Sequence, residues 1–260
     1  MKWSASRILT TVLFLMVASG CSVKEERDEC PCRLFLDLRY LDKLDQTPFS
    51  LCVSSDDGFE YSTVIGSEDF QEICILDVPR KCLDVVAWSG GEEYMDEHGL
   101  TIPLGNGCPR VYIHSNRLVA DGEAVCDTIC LKKQYCILNV SLDESHDIDG
   151  MLIRGEVAGY DKVGNPCNGD FRVYSQIDSS GIPSASFYIP RQDETLLYLD
   201  VIESDGMVKT FPLHEYISAF GYDWKEQDLN DLNMHLNYTP AGVSVNIKVW
   251  DEEFVVDVVI

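Results

Sequence analysis

The residue with the most distinctive chemical setting is Cys21, which directly follows the small residues Ala18, Ser19 and Gly20. A short basic head and the apolar stretch at residues 8–17 precede it, which is the pattern of a secretory signal. A membrane-spanning helix needs about 20 apolar residues. The charged residues 24–29 follow almost at once. The pattern therefore predicts a signal peptide at residues 1–20 that exports the chain without anchoring it.

The tetrapeptide at residues 18–21 resembles the lipobox of bacterial lipoproteins, in which the signal is cut before a cysteine that receives acyl chains such as palmitate. Each buried methylene contributes about 0.8 kcal/mol, so two or three chains hold a domain on a bilayer. We predict lipidation at Cys21, although Ala18 replaces the usual Leu and ordinary cleavage near Gly20 is the alternative. Residues 21–31 then form the lipidated cysteine and an acidic stalk. Its residues 24–26, Lys-Glu-Glu, resemble a surface-export signal of Bacteroidota lipoproteins or are a solvated charge run.

Ten further cysteines follow Cys21. They are Cys30, Cys32, Cys52, Cys74, Cys82, Cys108, Cys126, Cys130, Cys136 and Cys167. An even set in an exported chain favours disulfides, but free thiols also pack as small buried hydrophobic groups. The closest spacings are Cys-Pro-Cys and Cys-x3-Cys, which are not the CxxC pairs of a zinc site. We expect buried thiols and a few bridges, whose pairing the sequence does not define, with no metal and no cofactor.

Histidines and acidic clusters give no catalytic motif. None of the five histidines lies in a HExxH helix or a recognisable Ser-His motif. They are His98, His114, His146, His214 and His235. The acidic runs at 143–149 and 223–233 lack the glycine-punctuated ligand order of an EF-hand, so we interpret both as solvated loops. We therefore predict no catalytic residues and a protein that is not an enzyme.

Composition describes a folded, acidic protein. Hydrophobic residues make up 45% of the chain and aromatic residues 10%, enough to fill real cores. The 44 Asp and Glu outnumber the 20 Lys and Arg, which gives a formal charge of −24. No basic patch is present to neutralise phosphates. The composition therefore predicts that nucleic acid is not a partner.

Period-two alternation predicts strands along most of the chain, beginning with the apolar residues Leu34, Leu36, Leu38 and Tyr40. The predicted strands lie at 33–40, 82–88, 110–114, 136–142, 151–157, 171–177, 196–202, 243–250 and 254–260. Residues 196–211 read as a hairpin with its turn at 204–206. Short helices are predicted at 67–73 and 212–220.

Short strands with turn residues between them favour antiparallel β-sandwiches. The length suits two of them. We predict an N-terminal sandwich at residues 32–125 and a C-terminal sandwich at residues 126–260, giving an all-β protein. Leu36 and Val85 are expected in the first core, and Val173, Leu199 and Ile247 in the second.

Three segments resemble the FimB-type fimbrial anchor lipoproteins of Bacteroidota. ECPCRLFLDLRY resembles the family's Cys-Pro pair and first strand, CLDVVAWSGG its strand late in the first domain, and VSVNIKVWDEEFVVDVVI its closing strand pair. Cys32 departs from the expected first-strand pattern. The resemblance implies two transthyretin-like sandwiches on the outer membrane, exposed at the cell surface, which anchor or terminate a fimbrial shaft through noncovalent strand-type association with fimbrial subunits.

A surface glycan-binding lipoprotein is the alternative function. Sugar sites usually stack on exposed aromatic rings, and the mature chain has three tryptophans, Trp88, Trp224 and Trp250. Two lie inside predicted strands, where a core or interface role is expected, and Trp224 is expected to be exposed. A row of exposed aromatics would favour glycan binding, whereas an apolar groove or unpaired sheet edge would favour fimbrial assembly. We expect residues 254–260 to complete the second sheet, the alternative being strand addition with a neighbouring subunit. We also expect an edge of the second sandwich to contact that subunit.

Overall fold

The computed structural model describes residues 30–41, 48–142, 148–177, 182–192, 196–239, 242–249 and 252–258, with side chains up to residue 236. The first ten strands are β1 Cys32–Asp37, β2 Phe49–Ser55, β3 Glu60–Ile65, β4 Ile73–Val78, β5 Cys82–Ser89, β6 Met95–Asp96, β7 Gly99–Thr101, β8 Tyr112–Val119, β9 Ala124–Thr128 and β10 Lys132–Lys133. The next nine are β11 Tyr135–Leu142, β12 Ile148–Asp161, β13 Pro166–Gln176, β14 Ser184–Pro190, β15 Tyr198–Glu203, β16 Val208–Phe211, β17 Leu232–Thr239, β18 Gly242–Val249 and β19 Glu252–Val258. A 3-10 turn at Glu92–Tyr94 and helix α1, Leu213–Ala219, complete these elements.

Two unequal sheets form the first sandwich. One has three strands in the order β4-β1-β9, and the other has five in the order β10-β8-β5-β2-β3. Leu36 of β1 and Val85 of β5 point into the space between them and are fully buried. Their inward phase follows from the period-two alternation of each strand. Both predicted core positions are therefore confirmed.

The second sandwich pairs the sheet β14-β11-β17-β18-β19 with the sheet β16-β15-β12-β7-β6, in which β13 also pairs with β12. Leu199 is fully buried in its core, as predicted. Val173 is only half-buried and packs at the rim of that core, so the prediction of full burial is wrong. The side chain of Ile247 lies outside the described side chains.

The sheets confirm the predicted all-β class, whereas the domain limits stay a prediction. Strand β9, at 124–128, spans the predicted boundary between residues 125 and 126 and pairs with β1 of the first sandwich. Strand β7, at 99–101, pairs instead with β12 of the second sandwich. The chain therefore crosses between the sandwiches more than once.

An aromatic contact links the two sandwiches. Trp88 lies on the face of β5 that points away from the first core. Its ring packs edge-on against the ring of Tyr160 of β12, with the two ring centroids 6.5 Å apart. Val86 and Ile113 on the same outer face join the core of the second sandwich. Trp88 thus has the packed role that its strand position predicts.

Local elements agree with the sequence in most places. The hairpin of β15 and β16 turns at residues 204–206, and α1 forms with Leu213, Tyr216 and Ile217 on its buried face. The predicted helix at 67–73 is wrong: residues 67–69 form a turn, and Ile73 already begins β4. The closing strand β19 pairs antiparallel with β18, which confirms that it completes the second sandwich's own sheet. No helix in the described residues is long and apolar enough to cross a membrane.

Candidate functional site

The predicted site residue, Cys21, lies outside the described residues, as do residues 24–26 of the predicted stalk. Its lipidation therefore stays a prediction. The sequence predicted no other site residues, so the remaining candidates come from the geometry of the described part of the chain. Two features of the first sandwich stand out, and they lie at opposite edges of its sheets.

The first feature is an apolar edge formed by β3 and β4. Tyr61 and Ile65 of β3 and Cys74 and Leu76 of β4 point toward the core but are only half-buried. Two further aromatic residues, Phe59 and Phe70, pack against the same core. Among the described strands, β4 pairs only with β1, and β3 only with β2. We call this surface the β3–β4 edge, defined by these six residues.

The outer surfaces beside this edge are also apolar. Val64 of β3 is 67% exposed, and Ile73 and Ile75 of β4 are 47% and 55% exposed. Large apolar side chains on an unpaired strand favour association with another chain, and isolated domains usually block such an edge with charge, proline or a covering loop. The β3–β4 edge carries a partial cover, because Phe70 belongs to the loop that joins its two strands.

The second feature closes the opposite edge of the first sandwich with polar groups. His114 and Asn116 of β8 point inward and meet Asp127 of β9. The His114 Nε2 to Asp127 Oδ2 distance is 3.1 Å, and Asn116 Nδ2 donates to Asp127 Oδ1 at 2.9 Å. Burial alone would raise the pKa of Asp127, but the hydrogen bonds from His114 and Asn116 outweigh it and lower that pKa. The two sheets are thus bridged by an ionised carboxylate.

The hydrogen bonds of His114 define its tautomer. Its Nδ1 accepts the backbone N–H of Cys130 at 3.2 Å, so the ring proton resides on Nε2, which donates to Asp127. Both ring nitrogens are therefore used. A histidine held in this way has no free nitrogen to act as a general base, and the pair is a structural bridge between sheets.

A serine and a histidine also meet on the second sandwich. Ser141 of β11 and His235 of β17 are direct neighbours in a parallel pair, and Ser141 Oγ lies 2.9 Å from His235 Nδ1. A nucleophilic serine also needs an oriented base and an oxyanion site. The pair belongs to a row of cross-strand contacts, in which Asn139 donates to Asn233 at 2.9 Å. We interpret it as sheet pairing.

The ten cysteines in the described part of the chain are free thiols. None of the ten after Cys21 is bridged, so the expected disulfides are wrong for this structure. Cys108 and Cys136 are fully buried, and burial raises their pKa values, that of Cys136 to about 12. Cys30, Cys82, Cys126 and Cys167 are exposed. In the described residues, no group of three or more His, Cys, Asp or Glu side chains could hold a metal ion.

Trp224 corrects one prediction that concerned sugar binding. Its side chain is only 6% exposed, and its ring packs edge-on against that of Tyr222, with the two ring centroids 4.9 Å apart. The loop after α1 folds it onto the second core. Trp88 is buried as well, at 5% exposed, and the side chain of Trp250 lies outside the described side chains. Neither tryptophan with a described side chain is a stacking platform.

Comparison with known proteins shows the fold. No protein-family model and no curated protein sequence match the chain. Among solved structures, a candidate polysaccharide-binding protein of Bacteroides thetaiotaomicron superimposes with a TM-score of 0.64 at 13% identity, covering 87% of this chain and 98% of that one. A candidate adhesin of the same species gives 0.59 at 15% identity, covering 86% and 97%. The fimbrial anchor protein Mfa2 of Porphyromonas gingivalis gives 0.59 at 12% identity, covering 86% and 99%.

Nearly the whole length of each of these structures aligns with this chain, so the shared fold extends across both sandwiches. The predicted resemblance to fimbrial proteins of this type is confirmed as a likeness of fold. Identities of 12–15% do not carry function from one chain to another.

Proposed function

We propose that this chain is a cell-surface lipoprotein of the outer membrane, held by lipid on Cys21, that joins a fimbrial shaft by strand addition at the β3–β4 edge. Its role is in assembly and adhesion and involves no catalysis. The partner is a fimbrial subunit that supplies an extended strand. The fold shared with a fimbrial anchor protein and a candidate adhesin supports this role.

One observation carries the proposal: the two sheets of the first sandwich are unequal. The three-stranded sheet ends at β4, while the facing five-stranded sheet ends at β3. A strand added beside β4 would lengthen the shorter sheet and cover Tyr61, Ile65 and Leu76, which are half-buried now. Backbone hydrogen bonds along β4 would supply affinity, and alternate side chains of the added strand would fill the apolar edge.

Three edge strands of the second sandwich, where the contact was predicted from the sequence, are met by other parts of the chain. The β14 edge is met by the loop before β8, because Cys108 N–H donates to the carbonyl of Tyr188 at 2.8 Å. The β13 edge is met by Gly105, whose N–H donates to Arg172 O at 2.9 Å. Helix α1 follows β16 directly and packs its apolar face on the second core. These edges are thus partly covered by the chain itself.

A charge placed at the β3–β4 edge tests the proposal. Thr63 lies on the inward face of β3 and is half-buried, whereas its neighbour Ser62 lies on the outward face and is exposed. Thr63→Asp puts a carboxylate where the added strand must pack, so we expect fimbriae to appear in the medium while the protein stays in the membrane fraction.

Ser62→Asp is the matched control, since it adds the same charge one residue away on the opposite face, and it should leave fimbriae attached. Thermal unfolding of both purified variants checks that each keeps the fold. Fimbriae that remain cell-bound in a folded Thr63→Asp strain would refute strand addition at this edge.

A further inference from the structure

A pocket of about 440 Å³ lies between the two sandwiches, beside the polar edge of β8 and β9. Residues of β8, β9 and β10 form one wall, and the turn after β12, Arg191 and the loop at 225–227 form the other. Its volume is at the lower end of the range of about 300–1,000 Å³ that is usual for small-molecule sites. The strand-addition proposal does not use this pocket.

Arg191 brings a positive charge to the pocket, and its side-chain hydrogen bonds all go to neutral oxygens. Its Nε donates to Gln134 Oε1 at 2.8 Å, its Nη1 to the carbonyl of Trp224, and its Nη2 to the carbonyl of Gln227 at 3.3 Å. All three acceptors are neutral oxygens, and no carboxylate in the described residues forms an ion pair with this side chain. A guanidinium has five N–H donors, so two are left. The side chain is half-buried, and burial lowers the pKa of Arg191, while the charges of Asp223 and Asp228 act in the opposite direction.

Two lysines, Lys132 and Lys225, also line the pocket. Lys132 is already paired, because its Nζ lies 3.5 Å from Asp228 Oδ2. Of the two acidic residues in the lining, Asp127 has both carboxylate oxygens occupied by His114 and Asn116. Glu226 accepts a hydrogen bond from Asn230 at 3.3 Å. With Asp228 paired to Lys132, the charged group of the lining that still has unused hydrogen-bond donors toward neutral surroundings is Arg191.

The remaining lining suits hydroxyl groups. Ser115, Thr128 and Gln227 offer side-chain donors and acceptors, and Ile113 supplies a small apolar surface. The lining contains no Phe, Tyr or Trp side chain. A ligand would therefore be recognised by hydrogen bonds and charge and not by ring stacking, which favours a small, polar, anionic molecule.

We propose that this pocket binds a sugar that carries a carboxylate, such as a uronic acid residue. The carboxylate would lie against Arg191, whose remaining Nη1 and Nη2 hydrogens can bond both of its oxygens. The ring hydroxyls would contact Ser115, Thr128 and Gln227. The protein would then have a glycan-binding activity between its sandwiches that is separate from its strand edge.

Galacturonate and galactose form a matched pair of probes, because they differ at one carbon, a carboxylate against a hydroxymethyl group. Amide NMR titration of the purified protein should show shifts in residues 113–116, 127–134 and 191 with galacturonate. We expect galactose to bind at least about tenfold more weakly, the ratio given by one charge-assisted contact. Equal affinity for the two sugars, no binding of either, or equally tight binding of acetate would overturn the proposal.

Ser115→Glu places a like charge inside the pocket at an exposed strand position, so the fold should tolerate it. It should weaken galacturonate binding by about tenfold or more through charge repulsion. Ser62→Glu adds the same side chain at an exposed position on β3 and should leave binding unchanged. Unchanged galacturonate affinity in Ser115→Glu would place the ligand elsewhere and refute this site.

Discussion

At the residue scale, a carboxylate in the second sandwich shows how the chain holds charge inside its sheets. Asp200 of β15 accepts a bidentate pair of hydrogen bonds from Arg154 of β12 at 2.6 and 3.0 Å, and a third from Thr210 of β16 at 2.6 Å. Burial alone would raise the pKa of Asp200, but the bonds from Arg154 and Thr210 outweigh it and lower that pKa. Three neighbouring strands are thus joined through one side chain.

Asp200→Asn should lower the free energy of unfolding by about 1.5–3 kcal/mol, the usual contribution of hydrogen bonds to a charged group. Because the folded pKa of Asp200 is lowered, its contribution is full above the unfolded pKa near 4 and is lost as the pH falls through the folded value. Urea unfolding at pH 7 and pH 3 measures both effects. The difference in the free energy of unfolding between wild type and variant should be smaller at pH 3 than at pH 7. A difference that does not depend on pH would contradict this role of Asp200.

The same scale shows why some site residues were missed from the sequence. His114 and Asn116 share the phase of Leu118, which faces the first core, so two polar residues on an inward phase were the available signal. Their partner Asp127 comes from another strand, and pairing between sheets leaves no local pattern. Trp224 was misplaced because its charged neighbours indicate a surface loop, while tertiary packing folds its ring inward.

At the element scale, several strands with clear alternation were predicted well. Strands β5, β11, β15 and β18 appear close to their predicted limits. Strands β2, β3, β9, β14 and β17 were not predicted, although β2 and β17 also alternate apolar with polar or small residues, so a period-two signal was present in both and was overlooked. The false helix at 67–73 had only seven residues of helical pattern, too few to nucleate without tertiary support. There, the chain instead crosses from one sheet to the other.

Core truncations test the strand phases. Leu36→Ala and Leu199→Ala each remove a fully buried side chain, so each should lower the free energy of unfolding by about 2–5 kcal/mol. Val64→Ala changes a side chain that is 67% exposed, so it should change the free energy of unfolding by no more than about 0.5 kcal/mol. Denaturant midpoints at constant m-value measure all three. A near-neutral Leu36→Ala would mean that β1 has the opposite phase.

At the scale of the whole molecule, the two sandwiches repeat one arrangement. Strand β1 lies between antiparallel β4 and parallel β9, and β11 lies between antiparallel β14 and parallel β17. The second sheet continues through β18 and β19, while the first ends at three strands. The parallel partners are about ninety residues apart in sequence, so alternation along each strand could not reveal the pairing or the short sheet.

The proposed lipid determines where the whole molecule resides. Cys21→Ala should move the protein from the membrane fraction to the soluble or released fraction, because an acyl anchor cannot form without the thiol. Cys30→Ala is the matched control, since it removes an exposed thiol nine residues later and should leave the protein in the membrane. Immunoblots of fractionated cells give the distribution. Membrane retention of the Cys21 variant would refute lipid anchoring at this residue.

Cys74 offers a direct reporter of strand addition on the assembled fimbria. Its thiol lies on the inward face of edge strand β4 and is half-buried, and burial raises its pKa, so alkylation of the free protein should be slow but measurable. A strand seated beside β4 covers that thiol. We expect N-ethylmaleimide labelling of Cys74 to slow by about tenfold or more in fimbria-bound protein, since a factor of ten needs only 1.4 kcal/mol of association.

Cys167 on β13 is the control for this labelling experiment. It is exposed and far from the edge in the chain, so its labelling should not change. Peptide mapping by mass spectrometry reads both thiols in one sample. Equal labelling of Cys74 in free and fimbria-bound protein would show that the β3–β4 edge stays open and that the shaft is held elsewhere.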